Sequence, residues 1–252
     1  MVTRTPQEYV EAAVSGAVLT AGMAERFAGY ALMGMPFSSG HYLAFRHFPA
    51  SSIGPGYRSV WLRRPDGQWT IYADAPPELS CARYFGSALI AARVAGVTES
   101  WKGPYTAAVT VPGVLEWRFE LAQSSATRAV GAMVARMPER LWGSGPVLRG
   151  MGMMAGPVLD AGKLRFSGTV PNGQTFRAQP RRVWIVRSAS ATIDGAVAGR
   201  PGRLPQQEHL RDFWLPQRGL FVADLGVAFP STAAAGNGAA QPAESNSETR
   251  TS

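Results

Sequence analysis

The sequence predicts a mainly β protein, an antiparallel β-barrel or half-barrel carrying an N-terminal helix and a helical insertion. Three features point that way. Leu115, Trp117, Phe119 and Leu121 alternate without error against Glu116, Arg118 and Glu120, the pattern of a strand with one buried and one wet face. Two turn tetrapeptides, Pro65-Asp66-Gly67-Gln68 and Pro171-Asn172-Gly173-Gln174, separate runs of similar alternation, as hairpins require. Helical spacing is confined to the N-terminus and to the stretch after Ser124.

Each element follows from local chemistry. Thr5-Pro6-Gln7-Glu8 places Thr at an N-cap, Pro at the first helical position and Glu three residues past the cap, a capping box. The helix that follows repeats Val10, Val14, Ala17 and Val18 at helical spacing and is weakened by Gly16 and Gly22. It is expected to pack on the main body and to end before Gly34-Met35-Pro36, making residues 1–35 an N-terminal helical segment. From His41 the period becomes two, with His41, Leu43, Phe45 and His47 on one face and Tyr42, Ala44, Arg46 and Phe48 on the other. This is the expected first strand of a β-rich domain over residues 36–230. Tyr57 to Arg64 and Trp69 to Asp74 flank the first turn as a hairpin. The segment Ala88 to Trp101 is ambiguous between strand and helix.

Ser124 or Ser125 caps a helix reaching Met137, with Val130, Met133, Val134 and Met137 on one side, and Pro138 opens a further short turn. Pro146 to Leu159 carries Met151, Met153, Met154 and three glycines, a flexible apolar stretch with no assignable secondary structure, either a lid or a buried connection. The helical insertion is accordingly set at residues 125–159. Leu164, Phe166 and Val170 then alternate with Lys163, Arg165 and Thr169, and the return strand after Asn172-Gly173 holds Phe176 and runs through Val183-Trp184-Ile185-Val186 toward Ile193. Gly199 to Pro205 is a connector and Leu220 to Phe229 a last strand. Residues 231–252 are rich in Ser, Ala, Gly, Asn and Glu and contain no aromatic side chain, a composition expected to leave a disordered tail.

Composition bounds the function. The 252 residues are 46% hydrophobic with seven Trp, enough apolar area for a sizeable core. The single cysteine, Cys81, forms no internal disulfide, which fits a reducing, cytoplasmic compartment and gives a metal no thiolate pair. The uncharged run Ala12 to Ala24 is too short to span a bilayer and follows Glu8 and Glu11 rather than a basic segment, so neither a signal peptide nor a transmembrane helix is read. The net charge of +8 comes from 23 Arg and only Lys102 and Lys163, and a basic surface favours anionic partners.

Gly-rich phosphate loops, His-Glu-x-x-His, Cys pairs and Gly-x-Ser-x-Gly elbows are absent from the sequence, and three histidines without close spacing make a metal or cofactor unexpected. The candidates for acid and base chemistry are His41, His209 and Asp212. His41 and His47 share a strand face that is either the inward one, placing a titratable group in an apolar interior, or the outer one. Gln206 to Trp214 gathers an amide, acids, a base, a guanidinium and aromatics in one loop, where Asp212 could orient His209 or where Phe213 and Trp214 simply plug the barrel end. Arg repeatedly neighbours an aromatic residue, as in Arg46-His47-Phe48 and Trp117-Arg118-Phe119. Such pairs suit single-stranded nucleic acid, but strand alternation with the aromatic inside and Arg outside yields the same pattern.

The run of strands with an aromatic at every second position, joined by Pro65-Asp66-Gly67-Gln68 and Asn172-Gly173, resembles the lipocalin-like (calycin) barrels, including the carotenoid hydratase group, over residues 40–230. No motif of that group carries a catalytic residue over, and the Met-rich stretch from Ser125 to Leu159 departs from a plain barrel. The resemblance implies a barrel that holds one hydrophobic small molecule, such as a lipid, isoprenoid or sterol-like compound. Phe45, Trp117, Met151, Met154 and Trp214 are the residues expected to line it. Catalysis, if present, would be hydration or isomerisation without a cofactor. The alternatives are an Arg-rich module for nucleic acid or an anionic membrane surface, and a structural interaction domain.

Overall fold

The computed structural model describes residues 4–22 and 24–230. Helix α1 (Pro6–Gly16) starts as its capping box dictates: the Thr5 hydroxyl accepts the Glu8 backbone N–H, and the Glu8 carboxylate accepts the Thr5 N–H at 2.6 Å. The helix stops at Gly16. Its expected continuation to residue 35 is corrected by strand β1 (Glu25–Pro36). The reason is burial. Phe27 and Ala31 pack on one side of β1 and Tyr30 and Leu32 on the other, so after Arg26 no polar residue marks a wet face and the period-two signal vanishes.

The chain continues through β2 (Tyr42–Ser51), β3 (Tyr57–Arg63) and β4 (Trp69–Ala73), with β3 and β4 forming the hairpin expected around Pro65-Asp66-Gly67-Gln68. Short helical turns follow, including α2 (Ala82–Phe85), and then β5 (Ala91–Val94), β6 (Thr98–Gly103), β7 (Thr106–Val111) and β8 (Leu115–Ala122). The ambiguous segment from Ala88 is therefore mostly strand. In β8, Leu115, Trp117, Phe119 and Leu121 are buried while Glu116 and Arg118 are exposed, as the alternation predicts.

The insertion consists of α3 (Ser125–Ala135), a helical turn, and α4 (Gly145–Val158). Helix α4 occupies the Met-rich stretch that has no assignable structure from sequence. Its glycines read as flexibility, but they serve close approach: a Cβ on Gly152 would lie 2.5 Å from the Leu164 carbonyl oxygen, and one on Gly156 2.1 Å from that of Gly162. Strands β9 (Ser167–Thr169), β10 (Thr175–Ile193), β11 (Ala196–Val197), the small hairpin β12 (His209–Leu210) and β13 (Phe213–Trp214), and β14 (Leu220–Phe229) complete the chain.

Ten strands pair in the order β5-β4-β3-β2-β1-β14-β10-β8-β7-β6, antiparallel except for β4 with β5. The sheet curls into a half-barrel. Residues from both ends of the strand order, such as Tyr72 of β4 and Val109 of β7, meet with Phe45, Trp117, Phe119 and Phe221 in one cluster that fills the inside of the curl. The outer face of β1 to β4, with Phe27, Tyr42, Trp61 and Trp69, is covered by α2 and the β12–β13 hairpin. Helices α3 and α4 lie against β10 and the start of β14 through Trp142, Leu148, Leu159, Val183 and Leu220. Among the described residues no helix is long and apolar enough to cross a membrane. The tail expected to be disordered, residues 231–252, lies outside the described residues.

Candidate functional site

The residues nominated by the sequence are spread over the fold. His41 precedes β2, partly exposed, with its Nδ1 2.9 Å from the Ser39 hydroxyl. His209 is exposed and stacks on Trp214 with ring centroids 4.5 Å apart. Its Nδ1 lies 3.0 Å from the Arg211 carbonyl, an acceptor, so that nitrogen carries the proton. Asp212 does not orient it. The Asp212 carboxylate accepts the Thr169 backbone N–H at 3.0 Å and pairs with Arg165, fastening the hairpin to β9. Among the described residues no hydrogen bond or ion pair joins His41, His209 and Asp212. Phe45 and Trp117 belong to the core inside the curl, Met151 packs within the helical insertion, and Met154 is 60% exposed. Trp214 is half-buried, with the Lys163 ammonium 4.0 Å above its ring.

Two buried polar groups lie instead behind consecutive residues of β2. Inside the curl, the Tyr30 hydroxyl donates to Glu99 Oε2 at 2.5 Å and lies 2.5 Å from His47 Nδ1. A phenol has one hydrogen, and the carboxylate takes it, so the Tyr30 oxygen accepts from His47 Nδ1–H. Glu99 is held in turn by the Trp101 indole N–H at 2.8 Å. Burial, reinforced by the facing Glu99 carboxylate, holds the Tyr30 phenol well above its usual range, so it remains a donor. The chain of bonds ties β1 and β2 to β6, the far edge of the sheet, and so clasps the curl.

On the outer face, the Arg46 guanidinium carbon lies over Trp61, 3.6 Å from the ring centroid, and 5.6 Å from that of Phe213. The residue is only 5% exposed, and neither Nη1 nor Nη2 has a hydrogen-bond partner. Burial drags its pKa below the ordinary guanidinium value. Cys81, at the start of α2, points at the same place and accepts the Trp61 indole N–H at 3.1 Å. Arg46 and Cys81 border a cavity of about 40 Å³ whose other walls are largely aromatic. A second, apolar cavity of about 50 Å³ lies under the 159–166 segment and the β12–β13 hairpin. The two share Met33, Ala178, Phe213 and Leu225 as walls. The hairpin that supplies Phe213 is pinned by the Arg63–Glu208 ion pair at 2.9 Å as well as by Asp212.

Sequence reasoning missed this site because Arg46 carries the same Arg-beside-aromatic signature as Arg118, which is exposed. The distinguishing signal was the face: Arg46 alternates with Tyr42, Ala44 and Phe48, whereas Arg118 alternates with Glu116 and Glu120. Among the described residues no three His, Cys, Asp or Glu side chains converge where a metal ion could sit.

No family model matches the chain, and no curated protein matches it. Among solved structures it is similar to the crystal structure of acetoacetate decarboxylase from Legionella pneumophila, with 10% identity over 82% of this chain and 83% of that one and a TM-score of 0.35. At that score the likeness assigns neither a fold family nor a role to any residue.

Proposed function

We propose that the protein binds a hydrophobic small molecule in the seam between the outer face of its sheet and the cover formed by the 159–166 segment and the β12–β13 hairpin. The observation that carries this reading is the pair of cavities sharing Met33, Ala178, Phe213 and Leu225 as walls. Concave apolar space with a few polar groups is the usual form of a small-molecule site. A lipocalin-like barrel would hold its ligand inside, but here Phe45, Trp117, Phe119 and Phe221 occupy the interior. Met33 is one of the shared walls, and its unbranched side chain can reshape to fit a guest. The Tyr30, His47 and Glu99 chain could move a proton, but it sits on the opposite face of the sheet from these cavities, which favours binding over hydration or isomerisation.

The test is titration with a panel of short apolar probes, acidic and neutral, read by tryptophan fluorescence. Saturable binding that is lost in Ala178→Phe, with unchanged circular dichroism, supports the seam. If no probe binds saturably and the protein is instead retained on nucleic acid in a salt-sensitive way, the binding reading gives way to the Arg-rich module.

A further inference from the structure

The chemistry of the first cavity narrows the ligand class, an inference that rests on the binding reading above. We propose that Arg46 is the anchor for a carboxylate, and that the ligand is a small apolar monocarboxylic acid seated head-first against the guanidinium. Arg46 is nineteen-twentieths buried, its two terminal nitrogens are without hydrogen-bond partners, and it borders the cavity directly. The residues lining that cavity include no Asp or Glu, so the cation has no carboxylate counter-ion there. Stacking on Trp61 satisfies the face of the guanidinium but not its N–H edge. A buried charge with unused donors is costly unless an anion completes it.

The edge of a guanidinium presents parallel N–H donors that match the two oxygens of a carboxylate. Tyr57 lines the same cavity, with its phenol held far above the usual range by burial and by the neighbouring Cys81 sulfur, so its hydroxyl is a further donor. A phosphate would bring a second charge and more oxygens than these donors can meet among walls such as Phe48, Phe85 and Phe176. The apolar remainder of the ligand would point toward the shared wall at Phe213 and Met33, on the other side of which lies the second cavity beneath Leu164 and Phe166. The two cavities, about 40 and 50 Å³, are each smaller than a six-carbon acid, so a ligand of that size must push aside the adaptable Met33 and join them as it enters, and a longer one is disfavoured.

The experiment compares hexanoate, hexanol, methyl hexanoate and inorganic phosphate by calorimetry and tryptophan fluorescence, on the wild-type chain and on Arg46→Met and Tyr57→Phe. Arg46→Met keeps an unbranched apolar stem over Trp61 and removes the buried charge, a replacement that cores often tolerate. The expected result is that the wild type binds hexanoate about ten-fold or more tighter than hexanol and does not bind phosphate. Arg46→Met should erase the preference for the acid while still binding the alcohol, and Tyr57→Phe should weaken the acid alone by several-fold. Equal binding of acid and alcohol by the wild type, or an acid preference that survives in Arg46→Met, overturns the anchor and leaves the apolar seam standing. Binding of none of the organic probes removes the seam itself. A thiolate absorption at neutral pH that disappears in Cys81→Ala would show that Arg46 already has its counter-ion, and would also overturn the proposal.

Discussion

Arg46 and His47 are consecutive in β2, and both are buried, one on each face of the sheet. His47 contacts Tyr30 inside the curl, and Arg46 lies over Trp61 outside it. A strand in which two adjacent basic side chains are both denied water exists only because the sheet is covered on both sides, as the core clusters on either face show. Each face has met the demand differently: a closed chain of hydrogen bonds within, an incomplete one without.

The inner chain can be broken at its middle. Tyr30→Phe removes the one hydroxyl shared by His47 and Glu99 and leaves the two facing each other across 3.5 Å between Nδ1 and Oε2, with Glu99 still held by Trp101. The expected loss is about 1–3 kcal/mol in denaturant unfolding, the cost of stranding buried polar groups. A loss below about 0.5 kcal/mol would mean that the hydroxyl adds nothing to what apolar packing and the direct His47–Glu99 contact already supply.

Trp117 is 1% exposed and its neighbour Arg118 is on the wet face. Trp117→Ala should cost about 3–5 kcal/mol, while Arg118→Ala should stay within about 0.5 kcal/mol of the wild type. Chemical denaturation of the two variants side by side measures both, and an inverted ranking contradicts the face assigned to β8.

Gly34 in β1 has φ +127°, and a Cβ there would fall 1.8 Å from the Tyr42 hydroxyl oxygen. That hydroxyl donates to the Pro216 carbonyl at 2.7 Å, linking β2 to the chain just after β13. Gly34→Ala therefore combines backbone strain with displacement of Tyr42, for an expected loss of about 2 kcal/mol or more. The double variant with Tyr42→Ala should lose less than the sum of the two single changes, because the hydroxyl and the ring carbons that a Cβ would strike have gone. Additive losses would place the cost in the backbone alone.

Burial lowers the His41 pKa from 6.5, with the Arg64 charge acting in the same direction. The native state thus binds the proton less readily than the unfolded chain. The stabilising preference for neutral His41 is full above pH 6.5 and is lost as the pH falls through the lower folded value. Thermal midpoints measured downward from pH 7 should show this as a decline that is shallower in His41→Asn. Parallel profiles for the two proteins would assign the decline to other groups.

Much of the architecture was legible because many strands have one wet face: β8 declares itself through Glu116 and Arg118, and the β3–β4 hairpin through Pro65-Asp66-Gly67-Gln68. Strand β1 was not, since Tyr30 and Phe27 are buried on opposite sides and no polar alternation survives. Helix α4 was hidden because Gly152 and Gly156, which lower helix propensity, are there to admit the Leu164 and Gly162 carbonyls. The site was less legible still. His47 and Glu99 are brought to Tyr30 across 17 and 69 residues of chain by the closing of the curl, a relationship that no local pattern encodes. Asp212 and His209 were close in sequence, but a backbone turn with Arg211 at φ +57° lies between them, and Asp212 faces β9.

Of the described strands β14 is the last to leave the ribosome, yet it lies in the middle of the sheet, between β1 and β10. Among the described residues the two halves of the sheet, β5 to β1 and β10 to β6, have no direct strand pairing with one another and must wait for it. Until residue 229 is synthesised, β1 and β10 each present an open edge, and edges of that kind are where nascent β proteins aggregate or meet chaperones. Leu225 of β14 also walls both outer cavities. Those cavities are thus completed in the same step as the sheet, so any ligand they take would act on this chain only after folding, as a stabiliser of the finished protein and never as a template for it.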